Sequence, residues 1–126
     1  MLKLADHKTT KASFARYPMI TVTTLSDPAD DDSLAFLRAQ FRHHVKFGRK
    51  LHVIDLDQLN GPGSPIFRML ITSLRTVREV GGDVRLVSTR PGMRRMLSLT
   101  ALDRVFAVHT SVKDAMIAFR ELPKAS

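Results

Sequence analysis

Residues 59–70, LNGPGSPIFRML, set one serine between two glycines and the start of an apolar stretch. Four chemistries are open to a hydroxyl in that setting. Ser64 could cap the helix that follows, with Pro65 as its first residue. It could belong to an anion cradle, in which Gly61 and Gly63 bare backbone amides at a helix N-terminus. It could act as a nucleophile, or accept a phosphate itself. A nucleotide-hydrolysing P-loop needs GxxxxGK[ST], and GPGSP has neither the lysine nor the spacing. Pro62 and Pro65 also remove two amide donors.

Other reactive groups stand near the ends of apolar runs. DLD (55–57) and LVST (86–89) resemble two motifs of haloacid dehalogenase-type phosphatases, in which an aspartate is the nucleophile and a Ser or Thr binds phosphate. No paired acids follow Ser88 to hold Mg²⁺, and the acidic run Asp30-Asp31-Asp32 precedes the motifs instead. Asp55 therefore reads as a strand end and Asp57 as a turn residue. His43 and His44 would point about 100° apart on a helix, whereas helical metal ligands need a spacing of three or four, so they read as solvated. His7, His52 and His109 are scattered, with no carboxylate partner visible along the chain. Ser88, Thr89, Arg90 and Arg94, with Arg95 beside them, form a candidate contact for an anion or an acidic partner; a solvated basic face is the alternative.

Composition narrows the classes. The 126 residues carry a formal charge of +8, are 44% hydrophobic and contain no cysteine. Thiol catalysis, disulfides and cysteine zinc sites are thereby excluded. The positive charge would suit nucleic acid, an acidic protein surface or plain solvation. A single tyrosine and no helix-turn-helix pattern make nucleic acid the weaker reading. No apolar run approaches the roughly 20 residues of a membrane span. MLKLADHKTTKAS lacks the apolar centre of a secretion signal, so a cytoplasmic location is expected.

The elements that must position these groups follow from periodicity. MITVTTL (19–25) alternates as a strand, and SFARYP before it could pair with it as a hairpin. SDPADDDS is an acidic, turn-rich helix start; Leu34, Leu37, Phe41 and Val45 then recur at helical spacing, and Gly48 supplies a stop. LHVIDL (51–56) is a buried strand. After the serine loop, Phe67, Leu70, Ile71, Leu74 and Val77 share one helical face. Ile66 and Met69 fall off it beside Arg68, Thr72 and Thr76, either as an exposed contact patch or packed under a neighbouring loop. DVRLVST (83–89) is a strand, Pro91-Gly92 opens a short helix, and VFAVHT (105–110) is the last strand. Ser111 with Asp114 resembles a capping box before a final helix.

Strands alternating with helices predict one α/β domain: a mostly parallel sheet of four to five strands with about four helices packed on it. It would span residues 13–122, between a tail or extra edge strand (1–12) and a short C-terminal tail (123–126). The loops after the strands' C-terminal ends are the expected functional edge.

From Met19 to Leu122 the chain resembles a STAS domain, the module shared by sulfate transporters and bacterial anti-sigma factor antagonists. The resemblance rests on LHVIDLDQL, on LITSLRTVREVGGDVRLVST, and on PGMRRMLSLTALDRVFAVHTSVKDAMIAF, in that order. It implies a non-enzymatic regulator without a cofactor, binding a protein partner such as an anti-sigma factor that is also a serine kinase. In the family the loop reads Asp-Ser-Ser/Thr-Gly, and the first serine is phosphorylated. GSPI (63–66) takes that place and maps Ser64 onto the phosphorylated serine. Gly63 replaces the aspartate, Pro65 the second hydroxyl residue and Ile66 the glycine. The implied partner surface is Asn60, Gly61, Gly63, Ser64, Pro65, Ile66, Arg68, Met69 and Thr72. A degenerate module that binds its partner constitutively is the alternative.

Overall fold

The computed structural model describes residues 11–16, 19–26, 31–59 and 64–121, with side chains described except at 11–16, 31, 33, 64, 65, 120 and 121. Five strands form one sheet: β1 (Lys11–Arg16), β2 (Ile20–Ser26), β3 (Leu51–Gln58), β4 (Asp83–Val87) and β5 (Ala107–His109). Their order in the sheet is their order in the chain. β1 runs antiparallel to β2, and the other three pairings are parallel. The expected hairpin is present and starts at Lys11, so Lys11 and Ala12 belong to an edge strand, while residues 1–10 lie outside the described residues.

Four α-helices connect or follow the strands: α1 (Asp31–Lys46), α2 (Ser64–Arg78), α3 (Pro91–Leu99) and α4 (Val112–Glu121), with one turn of 3-10 helix at Leu102–Arg104. The apolar stripes of α1, α2, α3 and the 3-10 turn bury one face of the sheet around Ile54, Leu56 and Leu86. Ala115 and Phe119 of α4 close the opposite face over Ile20, Val22, Val53 and Val87. A central strand covered on both sides has no solvent face, which is why β3 reads as a nearly continuous apolar run. Gly48 and Gly81 end α1 and α2 in the left-handed region, at φ +86° and +82°, where other residues are strained. At the start of α4 the Asp114 amide donates to Ser111 Oγ at 3.0 Å, one half of the anticipated capping box.

Three expectations are corrected by the packing. The buried face of α2 is Ile66, Met69, Leu70, Ser73, Leu74 and Val77, while Ile71 keeps 40% of its surface exposed. Ile66 and Met69 are thus core residues and not a contact patch, because α2 packs sideways onto α1 and Met69 turns toward Leu37, Phe41 and Ile54. Asp55 does not end its strand: it pairs with Val87, and β3 continues through Asp57 to Gln58. His44 is buried instead of solvated, in a cluster with Phe41 and His52, whose ring lies 4.3 Å from Phe41 and 6.3 Å from His44.

Candidate functional site

Parallel strands end at the same edge, and the register of β3 on β4 decides which side chains meet there. Asp55 pairs with Val87. Two residues on, Asp57 and Thr89 stand opposite each other beyond the last paired rung. The Thr89 amide donates to Asp57 Oδ1 at 2.7 Å, and its hydroxyl donates to Oδ2 at 2.8 Å. Both carboxylate oxygens are therefore occupied by one residue. Arg90 extends the clasp by donating from Nη1 to the carbonyls of Leu59, at 3.0 Å, and Asp57, at 3.3 Å. Arg94 donates to the Ser88 carbonyl at 2.9 Å, and the Ser88 amide donates to the His109 carbonyl. The ends of β3, β4 and β5 and the first turn of α3 form one platform.

α3 begins at this platform with Pro91 in its first turn, where a missing amide costs nothing. α2 begins there too, at Ser64, as the expected helix start requires. The capping role expected of the Ser64 hydroxyl falls on a side chain outside the described residues, as do Asn60, Gly61 and Gly63 and the side chain of Pro65. Past the first turn, Arg68 and Thr72 are exposed on one stripe, with the Thr72 hydroxyl donating to the Arg68 carbonyl at 3.0 Å. Ile66 and Met69 lie beneath that stripe in the core.

Of the candidate anion contacts, Ser88 is withdrawn altogether: it is fully buried. It follows Val87, the last residue of β4, and its hydroxyl is enclosed, so it cannot reach a surface ligand. Thr89, Arg90 and Arg94 are exposed, but their described bonds go to the platform's own carboxylate and carbonyls. Burial pushes the Asp55 carboxyl up, partly offset by the Asp57 amide that donates to it at 3.0 Å. No group of three or more His, Cys, Asp or Glu side chains is arranged for a metal ion among the described residues. The clasp itself was not anticipated, although DLD and LVST carried the signal: in parallel strands set Asp55 to Val87, the equal offset of two brings Asp57 to Thr89.

Asp57→Ala removes two bonds to a charged acceptor at the partly exposed end of β3. We expect a loss of about 1–2 kcal/mol in urea unfolding, and faster exchange of the Thr89 amide with little change in the core of β3. Unaltered Thr89 protection would show that the clasp holds nothing.

The family model for the STAS domain matches residues 11–115, the whole described sheet and its helices as far as the first turn of α4. The chain belongs to the STAS domain family. Solved structures with the same fold include an anti-sigma factor antagonist from Mycobacterium paratuberculosis (TM-score 0.78, 23% identity, 90% of this chain and 96% of that one). A putative anti-sigma factor antagonist from Thermotoga maritima superposes at TM-score 0.79 with 18% identity, over 86% of this chain and 94% of that one. The Bacillus cell fate determinant SpoIIAA, in its phosphorylated form, superposes at TM-score 0.70 with 16% identity, over 86% and 99% of the two chains. A search of curated proteins finds no match. At these identities the likeness establishes the STAS fold, and no helix among the described residues is long and apolar enough to cross a membrane.

Proposed function

We propose that this STAS domain is a regulator of the anti-sigma factor antagonist type, working by association with a protein partner and not by catalysis, with phosphorylation of Ser64 as its switch. The observation that carries the reading is the place of Ser64 in a STAS fold: first residue of α2, at the sheet edge where β3 and β4 are clasped. The family likeness supports it, since SpoIIAA has been solved in a phosphorylated form. A phosphate brings roughly −1.5 to −2 charges. The amide end of α2 tolerates that charge within the chain, whereas a partner docked there would meet added bulk and a charge stripped of water. The complex should therefore weaken without any change of fold.

With Ile66 and Met69 in the core, the partner-facing surface in this reading reduces to the 60–65 loop, Arg68 and Thr72. The partner it fits is an anti-sigma factor with serine-kinase activity, which places the protein in the cytoplasm. The occupied oxygens of Asp57 speak against a phosphatase, because a nucleophile or acid/base there would first have to release Thr89. A second reading, a constitutive scaffold, is favoured by Gly63, Pro65 and Ile66 standing where the family has Asp, a hydroxyl residue and Gly.

Partner pull-down from the native host separates the two. Ser64→Asp is expected to lose the partner by tenfold or more, while Ser64→Ala retains it and phosphosite mapping of the purified protein finds Ser64. Equal capture by both variants would leave the scaffold reading.

A further inference from the structure

The outward face of α2 carries a stripe at helical spacing, Arg68, Ile71, Arg75 and Arg78, all exposed. One large apolar side chain thus stands in water among arginines. Beyond the 3-10 turn, Val105 is exposed by 45%. Between Ile71 and Val105 runs a groove of about 450 Å³, lined by Ile71, Leu74, Arg75, Arg78, Glu79 and Val105. Leu74, almost fully buried, makes its floor apolar. Arg78 ties the two walls together: its Nη2 donates to the Val105 carbonyl at 3.3 Å and lies 3.8 Å from the Asp83 carboxylate. Arg75, on the groove wall, is exposed and forms no ion pair among the described residues.

We propose that this groove is a second docking surface, separate from the Ser64 edge, and that its occupant is an acidic amphipathic helix of a partner protein. Charge complementarity identifies the occupant. Arg75 and Arg78 line an apolar slot with a single acid, Glu79, and Arg75 forms no ion pair among the described residues, on a chain of formal charge +8. Such a rim attracts carboxylates and orients them around the slot. The slot itself takes a bulky apolar side chain, and its volume falls within the roughly 300–1,000 Å³ of ligand-accepting clefts. Ile71 and Arg78 lie seven residues apart on α2, about 10 Å along its axis. That length matches two turns of a facing helix with apolar anchors at i and i+4. A nucleic acid would find the arginines but would lay its backbone across exposed Ile71 and Val105. A second copy of this chain would bring the same excess of positive charge. The lining of α2 starts roughly 10 Å from Ser64 and extends to about 22 Å at 1.5 Å per residue, so an aspartate at position 64 lies outside contact distance of a peptide seated in the groove.

The test begins with p-benzoylphenylalanine in place of Ile71, photo-crosslinking in the native host and mass-spectrometric mapping of the captured segment. A synthetic peptide of that segment is then titrated against the intact domain by fluorescence anisotropy. The expected segment carries Leu, Ile or Phe at i and i+4 flanked by Asp or Glu. Its affinity should fall at least tenfold in Arg75→Glu and in Val105→Ser, a variant that leaves α2 untouched. It should also fall with added salt, and stay within twofold in Ser64→Asp. Circular dichroism melts confirm that each variant is folded. The proposal is overturned by capture of nucleic acid, by a basic or non-helical segment, by an absence of capture, or by a peptide whose binding Ser64→Asp abolishes to the same extent.

Discussion

Lowering the pH from about 6.5 to 4 is expected to destabilise the domain by on the order of 3 kcal/mol through His52 alone. The side chain is fully buried, and its Nε2 donates to the Arg49 carbonyl at 2.7 Å. Nδ1 is buried with no hydrogen-bond partner among the described residues. Protonation would therefore place a charged N–H where nothing accepts it, beside His44 and the Arg49 guanidinium. Burial, reinforced by those two neighbours and opposed by the bond to the Arg49 carbonyl, holds the imidazole down at about 4, against an ordinary 6.5. The unfolded chain takes up the proton first. Stability is thus at its full value above the ordinary pKa and is lost as the pH falls from there toward the folded-state value. His109 acts in the same direction, pushed down by burial and by Arg85 and partly restored by Asp114.

The measurement is urea unfolding at half-unit steps between pH 4 and 8, on the wild type and on His52→Gln, which keeps a donor for the Arg49 carbonyl. The wild-type midpoint should fall steeply on the acid side. The variant, weaker at pH 8 from altered packing against Phe41, should lose much less over the same interval. Parallel curves would show that His52 is not the group responsible.

The second large effect belongs to Gly82. A Cβ there would run into the Lys50 carbonyl oxygen and would stand 2.5 Å from Val77 Cγ1. The first is backbone, fixed because the same oxygen accepts from the Asp83 amide at 3.0 Å as β4 joins the sheet beside β3. Gly82→Ala must therefore push β3 and β4 apart at their lower end or unseat the last turn of α2. We expect a loss of about 3 kcal/mol or more, at the upper end of what overpacking costs. Gly81 makes the contrast. It has open space around its would-be Cβ, and only its φ of +82° resists substitution, so Gly81→Ala should cost about 1–2 kcal/mol. Thermal melts of the pair test the difference: equal losses would mean that the clash is relieved cheaply.

The order of elements was legible because each carries its own signal. Alternation marks β2, a nearly continuous apolar run marks β3, and helical spacing marks α1 and α2, with a glycine stop after α1. The orientation of α2 was not legible. Seven of its residues, Ile66, Phe67, Met69, Leu70, Ile71, Leu74 and Val77, support two overlapping apolar faces, and the helix alone does not prefer one. Contact with α1 chooses, drawing Met69 inward and leaving Ile71 in water. His44 could have been placed: it continues the stripe Leu34, Leu37, Phe41 at a further three residues, and polarity argued against a core position that the spacing allowed.

The candidate site divides the same way. Ser64 at the head of α2 follows from local rules for helix starts. The Asp57–Thr89 clasp depends on a pairing between strands some thirty residues apart, and becomes visible only once the register of β3 on β4 is known. The groove beside Val105 depends on the α2 orientation that the sequence left open, so it was invisible for the same reason that Ile71 was misplaced.

The agreement between strand order and chain order bears on how the molecule is made. Every strand pairs with the one emerging just before it from the ribosome, so each new element meets an edge already formed. With the hairpin of β1 and β2 as a seed, β3, β4 and β5 add to one side in turn, each after one intervening α-helix. No strand waits for a distant segment, which keeps loop-closure entropy small at every step. The edge that receives each new strand is the one the preceding strand has just formed.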